Sequence, residues 1–390
     1  MAMAATRAGH RRAGRTVGLG HRWKEFDVFM LITTVVLTGF GVVTVWSATG
    51  GGALTLGNDG VRQGLYGALG MALMIGIATV DYRFFASLAW PLYAFGVALL
   101  ALVLIPGIGV DLGLGSRRWF LVPGIGTVQP SEFVKLTTAI ALASFIASRG
   151  TAMTELGNFV VSLLIAGIPA ALVFQQPDLG TSLIYGVIWA SMMLVAHCRH
   201  RHVAVLLALA AAAPFVAWRF LLKDYQIDRW RVFMDPGSDP LGEGFNIMQA
   251  EISIGSGGLF GYGLQGGTQS QLGLLAVRES DFVFSHASGM FGFFGMLALL
   301  TSFVILLWRC LRVVDTAKDG FGQCFAMGVA GVLFVQSFVN IGMNLGLLPV
   351  TGITLPFVSA GLSSLWTFLL AEGILQSILM RHRKLAFQPT

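Results

Sequence analysis

Apolar residues dominate this chain in long unbroken stretches instead of alternating with polar ones. A membrane-spanning helix needs about 20 apolar residues. On that rule the segments 28–48, 62–80, 84–106, 131–148, 157–175, 179–196, 202–222, 282–308, 321–346 and 354–380 predict ten spanning helices. Backbone polar groups in lipid must be satisfied within the protein, which leaves helices or a closed barrel. The continuous runs favour helices, and the expected fold class is an all-α polytopic membrane protein.

Composition agrees: 55% of the 390 residues are hydrophobic and only 11% are charged, with a mean hydropathy of +0.75, outside the range of soluble domains. Three regions follow: a basic N-terminal tail over 1–27, one membrane domain over 28–380, and a short basic tail over 381–390. The first region carries Arg7, Arg11, Arg12, Arg15, Arg22 and Lys24 without a small-residue cleavage site, so it reads as a cytosolic tail and not a removable signal. Arg83, Arg149, Arg199, Arg201, Arg309, Arg312, Lys318, Arg381, Arg383 and Lys384 fall on the same side as that tail, which predicts both termini in the cytosol. Cys198, Cys310 and Cys324 lie on or near that side, where no disulfide is expected. The net charge of +6 is accounted for by cations flanking helix ends near anionic membrane lipids, and no nucleic-acid partner is expected.

Polarity concentrates in three extracytoplasmic stretches: 111–129, 175–181 and the long loop 223–281 between the seventh and eighth helices. In the first, Pro130 is expected to open a helix with Ser131 as its cap and Glu132 in its first turn. Glu132 and Lys135 share a helix face, so they form either an ion pair or a functional pair at membrane depth. Asp178 stands at the mouth of the sixth helix, as an N-cap or as a ligand for a cation or sugar. In the long loop, Phe245, Ile247, Met248 and Ile252 suit a short amphipathic helix lying in the membrane interface. The Ile254-Gly-Ser-Gly-Gly-Leu259 turn could offer backbone N–H groups to an oxyanion. Asp281 opens the eighth helix, where it is either a cap or, through partial desolvation, a general base. His197, His200 and His202 with Cys198 occupy a basic turn and read as charge flanking instead of metal ligands. Gln336, Asn340 and Asn344 line one face of the ninth helix and suggest interhelical hydrogen bonds.

Several separated motifs occur in one order along the chain: Arg118-Trp119, Gln129-Pro-Ser-Glu132 with Lys135, Gln176-Pro-Asp-Leu-Gly-Thr181, Asp235-Pro, Asp239-Pro-Leu-Gly, the glycine turn at 254–259, Gly267-Thr-Gln-Ser-Gln271, Asp281-Phe-Val-Phe284 and Leu348-Pro-Val-Thr-Gly-Ile-Thr-Leu-Pro-Phe357. Together they resemble the SEDS family, its elongation branch more than its division branch. The resemblance implies a peptidoglycan glycosyltransferase that polymerises lipid II at the outer face of the cytoplasmic membrane, partnered by a class B penicillin-binding protein. It implies Asp281 as the catalytic aspartate. Arg118, Gln129, Ser131, Glu132, Lys135, Ser256, Gly257 and Gln269 are the expected substrate contacts, and Asp178 the candidate ligand for a divalent metal, magnesium or manganese.

The sequence departs from the family pattern at named places. Leu275-Ala276-Val277 and Glu279-Ser280-Asp281 stand where Leu-Pro-Glu and His-Thr-Asp are common, Gly289-Met290 where an acidic pair is usual, Tyr262 where a lysine is usual, and Ser359-Ala360-Gly-Leu-Ser363 where Ser-Tyr-Gly-Gly-Ser is usual. Two other classes compete on the residues alone: a lipid-precursor flippase or transporter, and a membrane scaffold for a transpeptidase.

Overall fold

The computed structural model describes residues 23–381 apart from 53, 54, 56, 112–116, 125, 200, 207 and 209–223. Most of the N-terminal tail, nearly all of the C-terminal tail and most of the predicted seventh helix lie outside the described residues; of that helix, 201–206 are helical. Among the described residues the spanning elements are α1 (Val28–Ala48), α2 (Asp59–Thr79), α3 and α4 (Tyr82–Ser87, Ala89–Val103), α5 (Pro130–Arg149), α6 (Leu156–Gln175), α7 (Leu179–Met193), α11 (Val283–Thr316), α12 (Gly320–Asn344) and α13 (Leu362–Leu379). The hairpin strands β1 (Val110–Asp111), β2 (Arg117–Val122) and β3 (Gly126–Val128) and the loop helices α8 (Asp224–Met234), α9 (Glu243–Ser256) and α10 (Thr268–Gln271) complete the order. Among the described residues seven helices are long and apolar enough to cross a membrane, and α4 and α7 are shorter apolar helices.

Burial separates centre from periphery. The most apolar stretch of α13 is 89% buried and that of α5 67%, against 28% for α2 and 33% for α6 and α11. Helix α13 therefore forms the axis, packed on α2 and α5, while α12 bridges α5, α7 and α11. The outer helices keep an apolar face exposed, as a lipid solvent requires.

Three predicted spans change. The third is interrupted between Ser87 and Ala89, because Pro91 has no N–H to offer the Ser87 carbonyl one turn earlier. The last begins at Leu362 instead of 354. Pro349 and Pro356 interrupt the hydrogen-bond ladder, and Gly352 and Phe357 take left-handed backbone (φ 70° and 65°). Residues 349–361 thus form a non-helical segment with Ile353, Leu355, Phe357 and Val358 fully buried. Gly41 of α1 lets this segment approach, since a Cβ there would lie 2.6 Å from the Phe357 carbonyl oxygen. The eighth helix runs on to Thr316, with a break at Gly292 (φ 61°).

One end of the bundle is closed by ion pairs. Asp27, the N-cap of α1, accepts from Arg309 Nε at 2.7 Å and exchanges two backbone hydrogen bonds of 2.9 Å with the Gln376 amide. Tyr82 donates to Asp319 at 2.7 Å, and Arg381 pairs with Asp81 at 3.5 Å. Arg83, Arg309 and Arg381, assigned to one side from sequence, are thus gathered with the start of α1 and the ends of α2, α11 and α13.

Breaking a buried ion pair from one side strands the other charge, at about 3–5 kcal/mol. Arg309→Met is expected to lower the melting temperature in detergent strongly, and Asp27→Asn combined with Arg309→Met to recover much of the loss. Equal losses in the single and double variants would remove the pair as a closing element.

Candidate active site

The opposite end collects the polar stretches. The β1–β2–β3 antiparallel hairpin, read from sequence only as a polar connection, carries Arg118 on β2. Arg118 donates through Nε to the Gln176 carbonyl (2.8 Å) and through Nη2 to the Pro177 carbonyl (2.6 Å), with Nη1 3.9 Å from Asp178 Oδ2. Asp178 caps α7, its Oδ1 accepting from the Thr181 N–H at 3.0 Å. The Gln129 amide donates to its Oδ2 at 3.4 Å. Arg118, Gln129 and Asp178 thus come together at the mouth of α7.

Asp281 stands nearby, two residues before α11 begins. Its backbone carbonyl accepts from both Asn344 (2.9 Å) and Asn340 (3.2 Å). Asn344 Oδ1 also accepts from the N–H and hydroxyl of Ser285, at 3.1 and 2.6 Å, and Asn340 donates to the Ile353 carbonyl at 2.8 Å. The asparagine ladder expected from sequence therefore joins α12 to α11 and to the 349–361 segment. Gln336 Oε1, by contrast, is buried without a partner. Ser359 donates to the Ser280 carbonyl at 2.7 Å and the Ala360 N–H to the Glu279 carbonyl at 2.7 Å, so the backbone on both sides of the carboxylate is clamped. The side chain points toward Gly352, where a Cβ would come to 3.7 Å of Oδ2.

Burial pushes the Asp281 carboxyl up from its ordinary value; the Ser280 hydroxyl, 3.2 Å from Oδ1, and Arg229 oppose the rise, while Asp178 and Glu279 add to it. Asp178 and Arg229 are therefore its electrostatic neighbours. Arg229, from α8, also pairs with Glu243 at 3.2 Å. Just before Asp281, Val277 takes φ 46°, a left-handed backbone that β-branched residues rarely adopt.

Other expected site residues are placed elsewhere. Ser131 does not cap α5: Gln129 is the N-cap, Pro130 follows it, and no side chain caps the helix. The Ser131 carbonyl instead accepts from Tyr185 at 2.9 Å. Lys135 Nζ lies 2.7 Å from Glu132 Oε2, both side chains nearly inaccessible, and Lys135 lines an interior cavity of about 30 Å³ with Ile188, Val329 and Phe368. The pair is buried in the bundle, in the first turns of the helix whose N-cap Gln129 donates to Asp178. Ser256 donates to the Ser253 carbonyl at 3.2 Å, and Gly257 packs so tightly that a Cβ would meet the Ser288 carbonyl oxygen at 2.3 Å. The glycine turn is thus a docking surface for α11 instead of a free oxyanion cradle. Gln269 lies on α10, its Oε1 buried and unpartnered. Helix α9 buries Ile247, Ala250 and Ser253 and packs on α11, so its inner face meets protein and not the membrane interface.

Gly289, where an acidic residue is usual, faces Gly267 N at 3.1 Å and Ser253 Oγ at 3.2 Å from a hypothetical Cβ, so a side chain there would need these neighbours to give by a few tenths of an ångström.

Sequence reading missed a second network. His286 Nδ1 lies 2.6 Å from Ser270 Oγ and Nε2 3.2 Å from Ser47 Oγ. Ser47 gives its one proton to the Leu264 carbonyl at 2.7 Å, so it accepts from Nε2–H, and in the neutral ring Nδ1 accepts from Ser270. Arg278 donates to the Ala48 carbonyl at 2.6 Å and to the Ser270 carbonyl. An ionisable residue within an apolar run, as His286 is, was the available signal.

The donors around Asp178 do not fit a divalent metal. Oδ1 is taken by the cap and Oδ2 faces Gln129 and Arg118, and among the described residues no three His, Cys, Asp or Glu side chains gather.

Fold and site together define an α-helical integral membrane protein with a clamped, desolvated carboxylate at one end of its bundle. The chain belongs to the FtsW/RodA/SpoVE family of cell cycle proteins, the SEDS family, whose model matches residues 28–384. It is 36% identical to the peptidoglycan glycosyltransferase MrdB of Escherichia coli K12 over 93% of this chain and 95% of the relative. Among solved structures, a chain described under "structural coordination of polymerization and crosslinking by a peptidoglycan synthase complex" superposes with a TM-score of 0.77 at 29% identity, covering 92% of this chain and 98% of that one. The rod shape determining protein RodA of Thermus thermophilus gives 0.67 at 27%, covering 92% and 97%.

Asn344→Ala removes three buried hydrogen bonds that hold Ser285 and Asp281. Leaving buried donors unpaired costs about 1–3 kcal/mol, so the variant is expected to melt earlier in detergent and to show faster amide exchange at 280–285. Unchanged exchange there would mean that the asparagine does not hold the carboxylate's backbone.

Proposed function

We propose that this protein is a peptidoglycan glycosyltransferase that polymerises lipid II into glycan strands at the outer face of the bacterial cytoplasmic membrane. Its role is in the wall elongation that sets cell shape, with both termini in the cytosol and a class B penicillin-binding protein as transpeptidase partner. The observation that carries this reading is Asp281, a desolvated carboxylate whose flanking backbone is fixed by Asn340, Asn344, Ser359 and Ala360. Kinship supports the reaction class, since the Escherichia coli relative is named a peptidoglycan glycosyltransferase. A neighbour described as part of a peptidoglycan synthase complex supports the partnership.

The acceptor sugar's 4-hydroxyl is too weakly acidic to ionise at neutral pH and needs a base as it attacks. Asp281 takes that proton while the hydroxyl oxygen bonds to the donor's anomeric carbon. The bond from that carbon to the lipid diphosphate breaks, and the diphosphate leaves with the electron pair. Desolvation suits the carboxylate to this task by raising its basicity. Arg118, already fixed by two carbonyls, is the cation placed to meet the leaving charge, a preorganised contribution of about 3–4 kcal/mol. Lys135 is already paired with Glu132, so the leaving charge is assigned to Arg118.

Asp281→Asn is expected to lower polymerisation of purified lipid II by about 10²–10⁴-fold while the protein folds normally. Equal polymer from both proteins would remove the base, and retained lipid translocation without any polymer would favour a transporter.

The base must be ionised, so the rate falls as pH drops through the raised Asp281 pKa. Arg229→Gln removes a charge that holds this pKa down and is expected to move the acid limb of the pH–rate profile to higher pH. Asp178→Asn, which keeps a capping side chain, is expected to move it to lower pH. Shifts of the opposite sign would show that the limb does not report Asp281.

A further inference from the structure

The loop between α9 and α10 presents Leu259, Phe260, Tyr262 and Leu264 outward, with Phe260 77% exposed. It lies against the break in α11, where Phe293 and Phe294 are also exposed. The Phe260 and Phe294 rings are 5.4 Å apart and those of Phe293 and Phe294 5.7 Å. The patch continues without interruption into Leu297, Leu300 and Val304, the exposed apolar side of the same spanning helix.

Part of this loop's backbone is satisfied by the helix it touches. Gly292 leaves the α-helical conformation, and the N–H groups that this frees are taken by the loop. Phe293 donates to the Gly258 carbonyl at 2.9 Å and Phe294 to that of Leu259 at 3.2 Å. In return Tyr262 donates to the Gly289 carbonyl at 2.9 Å, and Gly261 bonds back to Gly257 at 2.8 Å. The contact requires glycine on both sides: a Cβ on Gly261 would lie 2.2 Å from the Met290 carbonyl oxygen, and one on Gly292 2.4 Å from Gly261 N. Hydrocarbon offers no hydrogen-bond partners, so each backbone group paired in this way lowers the cost of bringing the loop's apolar side chains into it.

We propose that residues 259–264 form an apolar wedge that enters the membrane leaflet on the Asp281 side, with acyl chains as its partner and Tyr262 at the headgroup level. Helix α9, expected in the interface, packs its inner face on α11 and leaves Ile252 exposed, so this segment would be a second interfacial element beside it. The polar loop that holds Asp281 is thereby pinned to the bilayer surface at a second point besides the helix ends.

Spin labels test the placement in the full chain reconstituted into phosphatidylcholine–phosphatidylglycerol nanodiscs. Cys198→Ser removes the one native cysteine among the three that is not buried, and labels are then placed singly by Phe260→Cys and Phe294→Cys. Leu300→Cys on the lipid-facing side of α11 and Leu241→Cys in the loop, 95% exposed, serve as references. Collision with oxygen, which partitions into lipid, is compared with collision with a water-soluble nickel chelate. Labels at 260 and 294 are expected to favour oxygen, as at 300. A label at 260 that favours nickel, as at 241, places the loop in water and overturns the proposal. Accessibility to neither reagent also overturns it, since the face is then covered by a second copy or a partner's helix.

Discussion

A backbone N–H or C=O inside an apolar bundle has no water to turn to, and much of this structure answers that constraint. The 349–361 segment runs non-helically through the protein and would be prohibitive if its polar groups were left alone. Gln63 bonds the Ser359 carbonyl at 3.1 Å and the Gly361 N–H at 3.3 Å, Ser359 Oγ accepts from the Leu355 N–H at 2.8 Å, and Asn340 holds the Ile353 carbonyl. These bonds draw α2, α12 and the loop before α11 onto one short stretch of chain. Asp281 inherits its fixed position from them: the residues that satisfy the segment are the same ones that hold the carboxylate's neighbours.

Rigidity and desolvation then arrive together. The packing that leaves Asp281 half-buried raises the basicity of its carboxylate, and the bonds to its backbone limit where that carboxylate can point. Arg118 is treated likewise, with two of its nitrogens spent on carbonyls at the end of α6 and the third turned toward Asp178. An enzyme acting on a lipid-linked sugar gains from this arrangement, since a charge developing in a poorly hydrated site is best met by groups that need not reorganise.

The spanning helices were legible because lipid imposes one rule on their composition, and most boundaries fall close to the apolar runs. The last helix was misread at its start because residues 349–361 are apolar for a different reason: they are buried by protein, and hydropathy does not distinguish protein from lipid. Asp281 and Asp178 stood out as charges at helix mouths, Arg118 through the motif it shares with Trp119, and the asparagine pair by spacing. His286, Arg278 and Gln63 did not, since each is tied to a residue 239, 230 or 296 positions away in sequence, and only the Ser270 contacts of the first two are local. Glu132 and Lys135 were read correctly as neighbours on one face, but only packing shows that the face looks inward. The glycine turn was recognised as a tight turn, yet its partner, the broken ladder of α11, is visible only once both are in place.

The closure at the other end bears on how the chain is made. Asp27 starts the first helix, but its guanidinium partner Arg309 is 282 residues further on and its amide partner Gln376 349 residues further on. During synthesis α1 reaches the membrane with that carboxylate and its backbone unmatched, and every intervening helix is inserted before the match exists. Helix α13, which emerges after them, is also the axis of the bundle. A chain truncated before Gln376 therefore leaves α1 without the contact that fixes where that helix begins.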